Sequence, residues 1–212
     1  MQADSLIRLA LNARLGDGCF WKHPECVNYK LVFTGTNRDW IAYKGRMFDR
    51  EPKLARKAGS TREGVFKNSK DLWSVTTLVD PLFTEYKHKS IGECFDEVLK
   101  IDFYHWFLDD GSVIERRDSF KGRRMNYRYI LYLGSLLSGD ASDEGSFFEM
   151  VDRVFKDTLA GANHGTISQN GCSKNPCNDR AWQIPVCIGR ELAIGAGRLG
   201  VEGFERKLRY NP

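Results

Sequence analysis

Apolar residues recur at three-to-four spacing over the first fifteen positions (Leu6, Ile7, Leu9, Ala10, Leu11, Ala13, Leu15). This spacing predicts a helix with Asp4 or Ser5 as its N-cap, stopping at Gly16-Asp17-Gly18. Tyr29 to Thr36 (YKLVFTGT) is rich in β-formers and predicts a strand. Asn37 or Asp39 can then cap a helix through Trp40, Ile41, Lys44, Met47 and Phe48. Pro52 to Ser60 reads as a basic turn region, and Leu72 to Leu78 as a second strand, preceded by a short one at Gly64 to Lys67. A short helix around Pro81 to Tyr86 closes this half.

A similar order then begins again. Ile101 to Leu108 (IDFYHWFL) is apolar and aromatic at helical spacing and ends at Asp109-Asp110-Gly111. Arg128 to Gly134 predicts a strand after a basic stretch. Ser138 to Ser146 reads as a polar loop and cap leading into a helix over Phe147 to Leu159. Gly165 to Ser168 and Trp182 to Cys187 are expected as strands, and Arg190 to Leu199 as a final helix. Helix, strands, helix, strands, helix, twice over, is an internal duplication of about 90 residues, too long a period for a solenoid. The expectation is an α+β protein of two similar αββαββα domains, 1–92 and 93–212.

Composition sets outer bounds. In 212 residues, 42% are hydrophobic and 28% charged, which suits a chain with a buried core and makes disorder, collagen and coiled coil poor readings. No apolar run approaches the ~20 residues that span a bilayer. Met1 to Leu11 carries one cation, Arg8, and reads as no signal peptide. Six cysteines are too sparse for a disulfide scaffold. The expected setting is cytoplasmic, bacterial or phage, or organellar, and not secreted.

Net charge is only +4, but its distribution is uneven. Arg50 to Lys70 holds seven cations against two anions, and Arg116 to Arg128 six against Asp118. Such clustering favours a polyanionic partner, because phosphate contacts release condensed counterions. The alternative is a pair of solvated loops that keep the protein soluble.

Both predicted motif helices end in an acid followed by glycine: Ala10-Leu-Asn-Ala-Arg-Leu-Gly-Asp17-Gly18 and His105-Trp-Phe-Leu-Asp-Asp110-Gly111. The two acids are 93 positions apart (110 minus 17). In these segments the chain resembles the LAGLIDADG homing endonucleases of the single-chain, two-motif kind. Trp106-Phe-Leu-Asp-Asp-Gly-Ser112 is similar to the second-motif form, and the first, RLGDG, keeps the Asp-Gly. Tyr29 to Trp40, Lys89-Ser90-Ile91 and Leu199 to Leu208 (LGVEGFERKL) extend the resemblance over most of the chain.

The resemblance implies two sheets forming a saddle over double-stranded DNA, a monomer, and one strand cut per active site. It implies Asp17 and Asp110 as the catalytic and metal-holding acids, with Gly16 and Asp109 beside them, and Lys89 near the hydrolytic water or phosphate. Two carboxylates held together repel, so one is protonated or both bind hard divalent cations such as Mg²⁺. A surface lysine is the other reading of Lys89, and its counterpart near the C-terminus is Arg206, Lys207 or Arg209. Each following glycine is expected to supply the backbone freedom that turns helix into sheet. Candidate DNA contacts are Lys22, Lys30, Arg62, Lys67 and Lys70 in the first half and Arg116, Arg117, Lys121, Arg123 and Arg124 in the second. A non-cleaving binder of the same fold, a maturase or transcription regulator, is the rival, with Asn12 and Arg14 as departures on the first motif helix.

Weaker features point elsewhere. Cys19, His23 and Cys26, with Cys172 and Cys177 late in the chain, have spacings near those of zinc ligands, though buried thiols and a turn explain them better. His105 reads as a packed core histidine. Trp40, Trp73, Trp106 and Trp182 fit core positions better than a stacking platform. No P-loop, GxSxG or dinucleotide fingerprint occurs.

Overall fold

The structure, a computed structural model, describes residues 3–58, 70–117, 125–132, 141–159, 168–170, 181–184 and 186–205. Arg62, Lys67, Lys121, Arg123, Arg124, Cys172, Cys177, Arg206, Lys207, Arg209 and the strand expected at Gly64 to Lys67 lie outside them. The chain divides into two compact units, 1–89 with 201–203, and 90–200 with 204–212.

The first unit runs α1 (Ala3–Leu15), β1 (Gly18–Trp21), β2 (Lys30–Gly35), α2 (Arg38–Arg46), β3 (Lys53–Arg56), β4 (Leu72–Thr76) and α3 (Pro81–His88). Its four strands are antiparallel in the order β1-β2-β4-β3. Leu31, Phe33 and Val75 are buried on one face of this sheet. Against that face pack α1, with Leu9, Ala10 and Ala13 buried, and α2, with Trp40 and Ile41 buried. Lys44 of α2 is only 1% exposed, its ammonium 4.9 Å from the Phe33 ring centroid and 4.8 Å from that of Trp40. Aromatic faces stabilise a cation held away from water. Local chemistry sets the helix starts. Asn37 accepts from the Asp39 and Trp40 amides, and Asp80 from that of Leu82, with Pro81 at the first helical position. Asp4 is not a cap: the helix starts at Ala3, and Asp4 lies in its first turn, 3.7 Å from Arg8.

The second unit runs α4 (Ile91–Glu97), α5 (Lys100–Asp110), β5 (Gly111–Arg117), β6 (Met125–Tyr132), α6 (Ala141–Val154), α7 (Lys156–Leu159), β7 (Ser168–Asn170), β8 (Ala181–Ile184) and α8 (Val186–Gly197). Its sheet is again antiparallel, in the order β5-β6-β8-β7. The core is aromatic: Phe103 meets Phe155 edge-on at 5.0 Å, and Phe147 meets Trp106 and Phe95 at 6.2 and 6.0 Å. Arg153 donates to the carbonyls of Phe95 and Val98 and so closes the C-terminal end of α4.

Several sequence expectations need correction. The sequence reading lacks three strands: β1, hidden behind the Gly-Asp-Gly stop, β3, inside the stretch read as a basic turn, and β5, which follows the second motif helix directly. Helix α4 was missed too, although Ser90 and Glu93 form a reciprocal capping box. Residues 141–146, read as loop and cap, belong to α6, and Val186 and Cys187, read as strand, begin α8.

The role of the motif glycines also changes. Gly111 has φ −76 and ψ 153, open to any residue, and among the described glycines only Gly200 and Gly203 have positive φ. What Gly18 and Gly111 supply is room. A Cβ on Gly18 would stand 2.4 Å from the Ala13 Cα and 2.8 Å from the Phe33 ring. One on Gly111 would stand 2.3 Å from the Phe107 ring and 2.4 Å from its carbonyl oxygen. Gly18→Ala and Gly111→Ala are each expected to destabilise the protein by about 1–3 kcal/mol, read as a lower urea midpoint at unchanged slope. A midpoint that stays in place would show that the junction tolerates a Cβ.

Candidate active centre and nucleic-acid interface

Each unit hands its motif helix directly to the first strand of its sheet, and the acid stands at that junction. Asp17 follows Leu15, the last residue of α1, by two positions, and lies exposed immediately before β1. Asp110 is the last helical residue of α5, half-buried, immediately before β5. Thus the first acid sits just past its helix and not at its end. Asp109 is also half-buried within α5, and Gly16 donates its amide to the Asn12 carbonyl at 3.0 Å, finishing α1. Asp17, Asp109 and Asp110 each have an interaction partner.

Asn12 is 4% exposed, and its side-chain amide has no hydrogen-bond partner among the described residues. Arg14 donates to the Lys89 carbonyl at 3.2 Å, tying the end of α1 to the end of α3. Lys89 caps α3, its ammonium 3.6 Å from Glu85 and 4.5 Å from the centroid of the buried Tyr86 ring. His105 is buried, at 1% exposure. Among the described residues, no three His, Cys, Asp or Glu side chains gather as a metal site, so Cys19, His23 and Cys26 do not form one together. The thiol of Cys19 is exposed, and His23 instead accepts from the Glu25 amide.

Helices cover one face of the first sheet, so the alternation of the strands assigns the other. Leu31 and Phe33 point to the helices, leaving Lys30, Val32 and the exposed Thr34 on the open face. The register sets Trp21 opposite Lys30, Cys19 opposite Val32, and Ser74 opposite Thr34. It also sets Lys53 beside Ser74 and Arg56 beside Leu72, so both cations join this face from the exposed edge strand β3. Lys22 lies just beyond β1, 5.8 Å from the Tyr29 ring centroid, and Lys70 is exposed shortly before β4. The sequence reading therefore included Lys30 but omitted Lys53 and Arg56. Alternation along KLAR would put these two cations on opposite faces; a register irregularity between Leu54 and Arg56 brings both to this one, and no sequence signal marks it. In the second sheet, Arg116 pairs with Asn126 and Arg117 with Met125 at the far end of the β5–β6 ladder.

On α5 and α8 lies a separate polar cluster. Lys100 is 2.6 Å from Glu191, which also accepts from the Thr158 hydroxyl. The hydrogen bond to Glu191 raises the Lys100 pKa, and burial raises that of Tyr104, whose ring leaves no space for a Cβ on Gly195. Glu191 is thus committed to holding α8 against α5 and α7.

Lys89→Met removes an ion pair whose acidic partner is 65% exposed, plus one cation–π contact. It is expected to change the unfolding free energy by no more than about 1.5 kcal/mol, measured by urea denaturation. A larger loss would make Lys89 a structural residue first.

No protein-family model matches the sequence, and no curated protein does. Solved structures do. The homing endonuclease I-WcaI bound to its DNA recognition sequence aligns over 99% of this chain and 88% of its own, with 18% identity and a TM-score of 0.65. The LAGLIDADG meganucleases I-CpaMI and I-AabMI, each bound to uncleaved DNA, align over 97% and 95% of this chain and 88% and 86% of their own. Their identities are 6% and 11% and their TM-scores 0.49 and 0.48, too low to add to the argument. Among the described residues, no helix is long and apolar enough to cross a membrane. The likeness over nearly the whole chain shows that this protein shares the fold of the homing endonuclease I-WcaI.

Proposed function

We propose that this protein is a sequence-specific double-stranded DNA endonuclease of the homing type, acting as a monomer, with one half-site taken by each of its two units. The observation that carries this reading is the repeated junction. In both units an acid stands at the head of the first strand of a four-stranded antiparallel sheet, and the two sheets have the same strand order. A turn residue needed only to end a helix has no reason to recur as a carboxylate at this place in both units. The open face of the first sheet supports the reading, because it combines cations with hydrogen-bonding and apolar side chains across strands narrow enough for a major groove.

Asp17 and Asp110 are proposed to act together on the scissile phosphates. The donor set fits Mg²⁺, since both groups are carboxylates, the hard oxygen ligands this ion takes. When bound, the ion supplies Lewis acidity and a lowered pKa for its water. The chain's own residues do the rest. Lys89 is proposed to steady the hydrolytic water or the phosphate next to the acids. Lys22, Lys30, Lys53, Arg56 and Lys70 neutralise phosphates or donate to guanine edges in the first half-site, as do Arg116 and Arg117 in the second. Arg62, Lys67, Lys121, Arg123 and Arg124 are proposed for the same work from the two basic segments of the sequence.

Asp17→Asn and Asp110→Asn are each expected to abolish double-strand cleavage in Mg²⁺ while leaving duplex binding largely intact, measured on a site selected from random duplex pools. If the wild-type protein binds that site tightly and never nicks either strand in any divalent ion, the maturase or regulator reading takes over. Replacing Lys53 and Arg56 together with serine is expected to lower the slope of log affinity against log salt by about 1.8, at about 0.9 per lost phosphate contact. An unchanged slope and affinity would mean that this edge strand is only solvated.

A further inference from the structure

The outer end of the first sheet's open face carries an indole that the burial of the core does not require. Trp21 is 41% exposed, whereas Leu31 and Phe33 on the opposite face are fully buried. Its cross-strand partner is Lys30, whose ammonium lies 4.2 Å from the indole centroid. The next pair inward on this face is Cys19 and Val32, both small and weakly polar. The row therefore offers apolar surface, with one cation laid over its largest ring. A cation seated on the ring restrains the indole, so less side-chain freedom is lost when a ligand meets it.

In the major groove, the base feature that apolar surface recognises is the C5-methyl group of thymine; the other base-edge groups are hydrogen-bond donors and acceptors. Resting on the endonuclease reading, we propose that Trp21 is a specificity-determining residue whose indole, positioned by Lys30, reads the methyl group of one thymine. The strand also sets where that thymine lies. Trp21 is four residues beyond Asp17, about 13 Å along an extended chain at ~3.3 Å per residue. Duplex DNA rises about 3.4 Å per base step, so the thymine falls about four base pairs from the phosphate that Asp17 acts on. Lys30 acts through the ring and through its charge, as a positioning residue.

The test uses the full chain and a duplex site enriched from a random pool. Each thymine is replaced in turn by deoxyuridine, which removes the methyl group and nothing else. For the wild-type protein, one replacement about four base pairs from the cut is expected to weaken binding about fourfold, the factor that corresponds to burying one methyl-sized group. Trp21→Ala is expected to bind thymine and uracil sites equally at that position, with its salt slope unchanged and its thermal melt close to that of the wild type. Lys30→Met is expected to keep part of the thymine preference while losing about 0.9 from the salt slope. If no single uracil matters, or if Trp21→Ala stays as sensitive as the wild type, the inference falls and the endonuclease reading stands. If the wild-type protein enriches no duplex at all, that reading falls and this one with it.

Discussion

The architecture depends on how closely each motif helix approaches the strand that follows it. At Gly18 the backbone passes so near Ala13 and Phe33 that a single carbon has no place. At Gly111 the same is true against Phe107. Interiors are packed to the density of organic crystals, so a contact this short cannot be relaxed locally. Any side chain here would push the first strand away from its helix, and the rest of the sheet hangs from that strand through its ladder. The position of each acid follows from the same constraint, since Asp17 and Asp110 are the residues immediately before the two glycines.

A second consequence is a sheet with two unlike faces. Once α1 and α2 cover one side of the first sheet, alternation along β2 turns its residues in turn toward the helices and away from them. Leu31, Phe33 and Val75 supply the apolar surface whose removal from water holds the layers together. The opposite positions are released from packing, and chemistry accumulates on them: Lys30, Thr34, Ser74, Lys53 and Arg56. Lys44 of α2 is a charged group on the core side. It belongs to the core face by position, and the rings of Phe33 and Trp40 accommodate its charge there.

Under the proposed function, an acid at the root of a strand and a recognition surface along its length would join two tasks on one rigid element. A strand and a duplex advance by nearly the same distance per residue and per base step, about 3.3–3.4 Å. On that reading, side chains at successive outward positions on a strand would have a regular correspondence with base pairs counted from the cutting point. Exposed Trp21 illustrates it, because its distance from Asp17 is set by covalent geometry once the strand is extended.

Much of this was legible in the sequence. The apolar period of α1 and α5, the β-rich runs that became β2, β4 and β6, the repeated Asp-Gly and the order of elements all depend on local chemistry that residues carry wherever they are placed. The capping box that opens α4 was equally local and was overlooked because the segment it starts is short. Other features were settled only by tertiary structure. β1 and β3 are four residues long each and have little propensity of their own; pairing with β2 and β4 makes them strands. A glycine chosen for space and one chosen for positive φ are the same letter, so only the neighbours of Gly18 and Gly111 reveal which is meant. The face on which Trp21, Lys53 and Arg56 stand was invisible for the same reason: a side chain's outward direction is fixed by what covers the other side of its sheet, and that cover comes from residues distant in the chain.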